Sequence, residues 1–309
     1  MTKLREDDRT GWTGETLALA RTRMEERLAA AGLREYAFLR PGEDLLSPEV
    51  QRILVVLFPY LADQYDERAN LSLYCRGRDY HALVPRYLDP VGEAAKEVLG
   101  DGFSYHAYAD TGPYRDRELA LQAGLGFIGR SQMLINERYG TYFFIAYLVL
   151  SAPVPADKVW ERLDPGVLEV QCKECGRCSK VCPGKVLPPE GNYDWSRCRS
   201  AITQKKGELS EEELRIFYKD RLIFGCDLCQ TVCPYNQQAQ PSSIPEFTED
   251  RIDFLTLEDL EGLSRKAFLQ KYPERAFTWR GPEVLRRNLR LFAEKASVEE
   301  GQENHGSST

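Results

Sequence analysis

The spacing of apolar residues at the start of the chain predicts a helix followed by two strands. From 17 to 31 they recur every three or four positions, as on one face of a helix, and Gly32 stands where a left-handed C-terminal cap belongs. Residues 36–39 then predict a strand that Pro41 ends. The run 53–58 is apolar without alternation and rich in branched side chains, which favours a central strand covered on both faces.

The residues that follow continue this mixture of helices and strands. The pattern predicts, in order, a helix over 79–100 with a bend at Pro85, a strand over 103–109 and a short helix ending near Gly124. Residues 133–136 and 141–150 flank a turn, and we expect them to pair as a hairpin. Strands separated by helices indicate an α/β layer.

Composition limits the class of protein. With 309 residues, of which 42% are hydrophobic, the chain is long enough for two domains and a sizeable core. Its longest apolar runs, 53–58 and 142–150, are too short to cross a bilayer, so we expect a soluble protein with no membrane partner. The net charge of −7 argues against a general binder of polyanions, although 265–295 holds nine Lys or Arg against three Glu.

Eight of the nine cysteines lie in one segment of the chain. The first run, from Cys172 to Cys182, has the C-x2-C-x2-C-x3-C-P spacing that is typical of a 4Fe–4S cluster site in bacterial ferredoxins. The second run, from Cys226 to Cys233, has the closing Cys-Pro pair but one cysteine fewer. Cys198 stands alone between the two runs.

Counting ligands assigns these eight thiolates to two clusters. In two-cluster ferredoxins the cysteine before the proline ligates the other cluster. We therefore expect one cluster to be held by Cys172, Cys175, Cys178 and Cys233. The other is expected to be held by Cys182, Cys226, Cys229 and the singleton Cys198. Structural zinc and disulfides are the alternatives, but zinc ribbons use separated C-x2-C pairs, and disulfides are rare in a cytosolic protein without a secretory signal.

Other positions allow both a structural and a functional interpretation. Gly124, Gly126 and Gly129 spell G-x-G-x-x-G, but this motif follows a helix and precedes a strand, which disfavours a nicotinamide site. A loop that lets the backbone approach a large flat ligand, or tight packing, is the better interpretation. Asp110, at the end of a strand, is either a helix N-cap or a chemical group, and His81 is by default structural.

Several motifs together resemble the epoxyqueuosine reductases, which are cobalamin-dependent iron–sulfur enzymes of tRNA modification. The resemblance runs from the first predicted helix to Asn288. The motifs that carry it are Arg-Gly-Arg-Asp-Tyr-His at 76–81, Asp110 with Pro113, Ala-Gly-Leu-Gly-Phe-Ile-Gly at 123–129, Leu-Ile-Asn at 134–136, Arg-Cys-x-Ser-x-x-Thr at 197–203, Arg-Arg-Asn at 286–288 and the two cysteine runs.

The resemblance implies a fold and two kinds of cofactor. The fold class is α+β or α/β, with an α/β domain over 1–160 that holds base-off cobalamin and is similar to that of reductive dehalogenases. The implied remainder is a ferredoxin-like domain with two 4Fe–4S clusters over 161–245, a helical segment over 246–296 that packs back on the core, and a disordered tail over 297–309. The residues expected to contact cobalamin are Arg76, Tyr80, His81, Asp110, Gly126, Gly129, Ser131, Ser200 and Thr203.

The same resemblance implies reduction of epoxyqueuosine, at the wobble position of tRNA, to queuosine. Asp110 matches the family's proposed proton donor, and burial against the cofactor would raise the pKa of its carboxyl so that it holds a proton. The implied partners are tRNA and a small electron donor, flavodoxin or ferredoxin, and we expect a cytoplasmic monomer. The basic stretch 265–295, with Phe277 and Trp279, would bind phosphates and stack a base.

The sequence departs from the family's pattern at a few positions. Arg130, Ser131 and Gln132 stand where members usually carry Lys, then His or Asn, then Thr, and Tyr147 stands where many carry Glu. We also expect a short form without the C-terminal helical repeats of longer members. Three alternatives stay open: a paralogous reductase acting on another substrate, a reductive dehalogenase, which would usually carry a twin-arginine signal, and an electron-transfer protein.

Overall fold

Two compact units make up the chain in the computed structural model, which describes residues 11–43, 46–62, 68–160, 172, 175–187 and 193–306. The first unit comprises Met1–Tyr60, Tyr80–Cys172 and Gln238–Ile244. The second comprises Leu61–Asp79, Lys173–Gln237 and Pro245–Thr309. This division differs from the predicted boundaries, because the short segment before Tyr80 and the C-terminal helices share a unit with the cysteine-rich segment.

A mixed five-stranded sheet forms the centre of the first unit. The strands are β1 (Tyr36–Pro41), β2 (Arg52–Pro59), β3 (Tyr105–Ala109), β4 (Phe127–Ile128), β5 (Leu134–Ile135), β6 (Phe143–Leu150) and β7 (Lys158–Trp160). The large sheet has the order β3-β6-β2-β1-β7, in which only the β1–β7 pair is parallel. The predicted mixture of helices and strands is confirmed.

The predicted central strand is β2. All its residues except Arg52 are buried, and it pairs with β1 on one side and β6 on the other. Because side chains alternate between the two faces of a strand, burial along the whole run requires cover on both faces. The uninterrupted apolar sequence therefore reflects a position inside the sheet, as predicted.

Among its described residues the first unit has three helices: α1 (Gly14–Ala30), α2 (Tyr80–Leu99) and α3 (Asp116–Gln122). Thr13 begins α1 with a capping box that it shares with Thr16. The helix α2 contains Pro85 and is continuous from its first residue to its last. Helices α1 and α2 pack on each other, and α3 packs on β6. These elements confirm the three predicted helices.

The predicted hairpin between 133–136 and 141–150 is wrong. The strand β5 pairs with β4, whereas β6 pairs with β2 over eight residues and with β3 over five. An isolated bridge between Asn136 and Gly140 closes the predicted turn, but the described strands β5 and β6 do not pair with each other. A long apolar strand such as β6 buries more surface between two full-length strands than beside a two-residue arm, so tertiary pairing overrides the local turn signal.

Short helices dominate the second unit. They are α4 (Arg177–Val181), α5 (Arg199–Gln204), α6 (Glu211–Phe217), α7 (Leu228–Thr231), α8 (Pro245–Thr248), α9 (Leu257–Leu260), α10 (Arg265–Lys271) and the longer α11 (Pro282–Gly306). One apolar cluster gathers Phe224, Phe268 and Phe277, and a second packs Phe217 with Phe292 of α11. No helix in the described ranges is long and apolar enough to cross a membrane.

The predicted disordered tail from Ser297 is wrong over most of its length. Helix α11 continues to Gly306, while 307–309 lie outside the described residues. The stretch after Pro282 contains no further proline, and Glu, Leu and Arg, which have high helix propensity, are frequent in it.

Candidate functional site

Asp110 lies directly after β3 with its backbone in the left-handed region, at φ 61°. Non-glycine residues rarely adopt this conformation, and strained backbone of this kind concentrates at functional sites. The alternative role as a helix N-cap is excluded by position, because the N-cap of α3 is Arg115, which makes no side-chain capping bond. The carboxyl of Asp110 therefore does not cap a helix, which was the structural role that its position in the sequence suggested.

Two aromatic side chains from the start of α2 approach this carboxyl. The phenol of Tyr80 donates a hydrogen bond to Oδ2 of Asp110 at 3.2 Å, and Nε2 of His81 lies 3.7 Å from the same oxygen. The ring of Tyr80 is stacked on His81 at 4.1 Å and on Phe144 at 4.0 Å, between ring centroids. The consecutive residues Tyr80 and His81 thus lie beside Asp110, which is about 30 residues further along the chain, as the predicted site requires.

The electrostatics of Asp110 differ from the prediction. The nearby imidazole of His81, and then the hydrogen bond from Tyr80, hold the pKa of the Asp110 carboxyl below its usual value. The side chain of Asp110 is 66% exposed, so burial does not outweigh these partners. The expected rise in the pKa is wrong for the protein by itself, because it presumed a cofactor face covering the carboxyl.

A second carboxyl, which sequence reasoning missed, contacts Asp110 from α3. Oδ2 of Asp116 accepts a hydrogen bond from the backbone N–H of Asp110 at 3.0 Å. Its other oxygen, Oδ1, is buried and has no hydrogen-bond partner. Burial raises the pKa of Asp116 to about 6. The available sequence signal was an acidic residue in the first turn of the helix that follows Asp110.

These residues line a cleft of about 570 Å³. Its walls include Tyr80, Asp110, Tyr114, Asp116, Phe143 and Phe144. Aromatic rings form an apolar side, and a polar side is formed by three carboxyls, of Asp110, Asp116 and Glu118, with Arg115 and Arg117 beside them. An apolar wall with a few polar groups is the usual composition of a small-molecule site. The cleft can hold a ligand with a flat apolar part and place a polar atom of that ligand beside Asp110.

The glycine motif packs tightly against the neighbouring strand. A Cβ atom at Gly126 would lie 2.3 Å from the carbonyl oxygen of Ile135, and one at Gly129 would lie 2.5 Å from Cδ1 of Ile135. The packing interpretation of these glycines therefore holds. Ser131 is buried in the turn that follows, and Arg117 of α3 donates a hydrogen bond to the carbonyl of Gln132 in that turn.

Two predicted cobalamin contacts in the second unit have structural partners. The Thr203 hydroxyl is fully buried, accepts from the N–H of Gly225 at 2.9 Å and donates to the carbonyl of Ser200 at 2.8 Å. Arg76 is also buried and donates through Nε to the carbonyl of Leu71 at 2.8 Å. Its Nη1 atom is buried without a partner, so the guanidinium keeps one unused donor. We assign Thr203 to the fold rather than to a ligand.

Four cysteines of the second unit pack together. Cys182 lies in one apolar cluster with Val186 and Leu187, and three further cysteines pack against that cluster: Cys178, Cys198 and Cys229. The helices α4 and α7, which follow the first cysteines of each run, pack on each other. Cysteines from both runs thus lie close to the singleton Cys198. The predicted cluster that combines Cys182, Cys198, Cys226 and Cys229 requires this.

The chemical state of these cysteines fits metal ligands. All nine cysteines are free thiols. Burial raises the pKa of Cys226 to about 12, so this thiol would be neutral unless a bound cation compensated its charge. In the first unit, Sγ of Cys172 accepts the backbone N–H of Arg130 at 3.3 Å, a contact of the kind that tunes iron–sulfur sites. Within the described part of the chain, no three His, Cys, Asp or Glu side chains are arranged as a finished metal site.

The basic stretch 265–295 contains arginines that bind backbone carbonyls and one that stacks on an exposed aromatic ring. Arg286 donates to the carbonyls of Leu260 and Leu263, each at 3.2 Å, and Arg287 donates to the carbonyl of Lys205 at 2.6 Å. Their charges therefore stabilise helix ends. Trp279 is 51% exposed, and the guanidinium of Arg280 lies 3.5 Å from its ring centroid. This pair offers charge and an aromatic face to solvent.

A hollow of about 430 Å³ adjoins these basic residues. Its walls carry four positive charges, from Lys206, Arg265, Arg280 and Arg287, against two carboxylates, from Glu208 and Glu283. We call this hollow, together with the exposed ring of Trp279, the basic face. Its charge suits a phosphate-bearing partner.

Comparison with known proteins defines the class first. Residues 171–236 match the family model of the 4Fe-4S double cluster binding domain, and residues 40–111 match that of epoxyqueuosine reductase QueG. The epoxyqueuosine reductase of Lactococcus garvieae is 34% identical over 246 residues, which are 76% of this chain and 65% of that protein. That of Pseudomonas aeruginosa is 31% identical over 259 residues, which are 81% of this chain and 69% of that protein. The chain belongs to the epoxyqueuosine reductase family, and it spans about two thirds of the length of these relatives.

Solved structures show the same fold. A selenomethionine-labelled epoxyqueuosine reductase superposes with a TM-score of 0.74 and 24% identity, covering 89% of this chain and 81% of that chain. An epoxyqueuosine reductase with an epoxyqueuosine-modified tRNA-Tyr stem loop superposes with a TM-score of 0.73, at the same identity and coverage. The mixed fold of this chain is therefore that of the family.

Proposed function

We propose that this protein reduces the epoxide of epoxyqueuosine, at the wobble position of tRNA, to the alkene of queuosine. Membership of the epoxyqueuosine reductase family supports the reaction, and a family structure with an epoxyqueuosine-modified stem loop supports the tRNA substrate. The observation that carries the proposal is the convergence of Tyr80, His81 and Asp110 in the cleft.

The reaction sets the requirements that the site must meet. Removal of the epoxide oxygen as water consumes two electrons and two protons. Bound cobalamin and two 4Fe–4S clusters would supply the electrons, since clusters carry them singly and a low-valent cobalt centre can pass on a pair. The task of the protein's own residues is to hold the cofactors, orient the substrate and deliver protons.

Asp110 is proposed to place a proton on the departing oxygen. In the protein alone its carboxyl is ionised, because the nearby imidazole of His81 and the hydrogen bond from Tyr80 favour the charged form. Filling the cleft would remove water from a side chain that is now 66% exposed, and loss of water raises the pKa of a carboxyl. Tyr80 and His81 hold the carboxyl in place and form a route by which a proton returns to it.

The cleft supplies a surface on which a flat cofactor could rest. The stacked rings of Tyr80 and Phe144 give an apolar side, and Asp110 stands at its edge. We propose Tyr80, His81, Asp110 and Ser131 as cobalamin contacts in the first unit. The contact through Arg76 stays a prediction from the sequence. Contacts through Gly126, Gly129 and Ser200 stay predictions.

The cluster ligands are proposed as two sets of four thiolates. Cys182, Cys198 and Cys229 of the set Cys182, Cys198, Cys226 and Cys229 pack in one apolar cluster, which Cys178 of the other set also contacts. The division into sets therefore rests on the sequence spacing. The set of Cys172, Cys175, Cys178 and Cys233 rests on sequence spacing. We propose that a small electron donor, flavodoxin or ferredoxin, reduces the clusters, and that the enzyme works in the cytoplasm as a monomer.

Nucleoside analysis of a deletion strain tests the function in the cell. Bulk tRNA from the strain should accumulate epoxyqueuosine, and the wild-type gene on a plasmid should restore queuosine. A plasmid copy carrying Asp110→Asn should fail to restore it. Unchanged queuosine in the deletion strain would assign the reaction to another protein and reject the proposal.

A further inference from the structure

The loop between β3 and α3 is closed by one hydrogen bond between its ends. Asp110 is the first residue after β3, and Asp116 is the first residue of α3. Oδ2 of Asp116 accepts the backbone N–H of Asp110 at 3.0 Å. The bond holds the backbone of the residue that carries the carboxyl, and leaves that carboxyl itself to Tyr80 and His81.

The surroundings of Asp116 argue against an ordinary structural carboxylate. Its Oδ1 atom is buried without a partner, which is a costly arrangement that native structures seldom keep without a reason. The side chain does not cap its own helix, since Arg115 occupies the N-cap position. The helix packs into the core through Leu119 and Ala120 instead. The contact with Asp110 is therefore the evident use of this carboxyl.

The conformation of Asp110 explains why such a contact is needed. At φ 61° an aspartate is strained, and it would relax unless its surroundings over-determine the conformation. The next residue helps, because the N–H of Thr111 donates to the carbonyl of Ala109 at 2.7 Å. Asp116 supplies the partner for the N–H of Asp110 itself.

We infer that Asp116 is a positioning residue, which holds the carboxyl of Asp110 in the cleft by fixing the left-handed backbone beneath it. The effect on turnover rests on the proposed function, since it requires Asp110 to act on the substrate. The effect on the loop does not, because it concerns only the hydrogen bond between Asp116 and the backbone of Asp110. Asp116 lines the cleft beside Asp110, so loosening the loop would displace the acid from the substrate.

Two substitutions at one position separate hydrogen bonding from charge. In Asp116→Asn the amide oxygen can still accept the N–H of Asp110, whereas in Asp116→Ala no acceptor remains. Asp89→Ala, an exposed position of α2, is the matched control. The variants are compared as anaerobically purified, cofactor-loaded protein. The readouts are hydrogen–deuterium exchange of the Asp110 amide, measured by mass spectrometry, and kcat and KM with an epoxyqueuosine stem loop.

The expected result is a split between the two variants. Asp116→Ala should speed exchange at Asp110 and lower kcat by about 10- to 100-fold with KM unchanged, as a misplaced catalytic group does. Asp116→Asn should stay within about threefold of the wild type in both readouts, because it keeps the acceptor. Wild-type kcat or exchange in Asp116→Ala would overturn the inference. So would an Asp116→Asn variant that loses kcat while its exchange stays slow, since the charge would then matter and not the bond.

The exchange measurement separates this inference from the proposed function. If the wild type failed to reduce the stem loop, the proposed function would be rejected. Faster exchange in Asp116→Ala, together with exchange as slow as that of the wild type in Asp116→Asn, would still support the positioning of Asp110. Equal exchange in all variants would reject the positioning role, whatever the protein reduces.

Discussion

The phenol of Tyr80 donates a hydrogen bond to Oδ2 of Asp110 at 3.2 Å, which joins the first residue of α2 to the residue that follows β3. This contact brings together two motifs that are separated in sequence and gives the Asp110 carboxyl a defined orientation. It also favours the ionised form of the carboxyl. The ability of Asp110 to donate a proton therefore depends on how the pKa of its carboxyl changes when a ligand fills the cleft.

Asp110→Asn separates acid chemistry from structure. The amide keeps the shape of the side chain and can still accept the bond from Tyr80, but it cannot release a proton. We expect normal folding and retained clusters, with turnover lowered by about 10²- to 10⁴-fold, as for a lost general acid. Tyr80→Phe, which keeps the carboxyl, should lose less. Normal turnover of Asp110→Asn in a stem-loop assay would refute the assignment.

The raised pKa of Asp116 predicts a stability that depends on pH. Since this pKa is about 6 in the folded protein against an ordinary value of 3.8 for aspartate, the folded state binds the extra proton between these values. The free energy of unfolding therefore falls as the pH rises through this window. The loss is complete above about pH 6, where Asp116 is ionised in both the folded and the unfolded state. Asp116→Asn should be more stable than the wild type by about 1–2 kcal/mol at neutral pH, after a discount for solvent screening.

Thermal unfolding at pH 4.5 and at pH 7.5 measures this effect. The Tm of Asp116→Asn should exceed that of the wild type at the higher pH, and the difference should shrink at the lower pH. The charged groups nearest the carboxyl are Asp110, which raises its pKa, and Arg117, which lowers it. A Tm difference that is the same at both pH values would show that Asp116 does not titrate in this window.

Cys198→Ser tests the assignment of ligands. The wild type is expected to hold roughly eight iron and eight sulfide per chain. Loss of Cys198 should lower the content of one cluster while the other survives, because only one set of four includes it. Cys75→Ala, at a buried cysteine outside both runs, is the matched control and should keep all its iron. Full iron content in Cys198→Ser would mean that another residue completes the set.

The basic face predicts that Arg280 binds the phosphates of tRNA. Arg280→Ala should weaken stem-loop binding for all sequences alike and reduce the salt slope by about one, because phosphate contacts carry no sequence information. Arg23→Ala, an exposed arginine on α1, is the control that should leave the slope unchanged. Arg286 and Arg287 are unsuitable probes, since they hold backbone carbonyls. An unchanged slope for Arg280→Ala would remove this face from the tRNA contact.

Much of this arrangement could be predicted from sequence. The apolar run of β2 specifies a central strand, and the family resemblance implied that Tyr80, His81 and Asp110 belong to one site. Asp116 was missed because its partner is a backbone N–H, whose direction depends on the left-handed conformation of Asp110. Residue type alone does not encode that conformation.

The wrong predictions have a common physical origin, which is that local patterns omit tertiary partners. The turn before β6 resembled a hairpin, but two long neighbouring strands offered that strand more pairing. Likewise, the charge count of 265–295 could not distinguish Arg286, which donates to two carbonyls, from Arg280 on the basic face. The tail from Ser297 was likewise predicted as disordered, whereas α11 continues to Gly306.

Conversion of an epoxyqueuosine stem loop by the purified protein tests the proposed reaction most directly. The protein would be isolated anaerobically, loaded with iron, sulfide and cobalamin, supplied with a low-potential reductant and mixed with the stem loop, whose nucleosides are then resolved by mass spectrometry. The account predicts that the wild type forms queuosine, with loss of one oxygen atom, and that Asp110→Asn leaves the epoxide in place. A fully loaded wild-type protein that leaves epoxyqueuosine unchanged would contradict it.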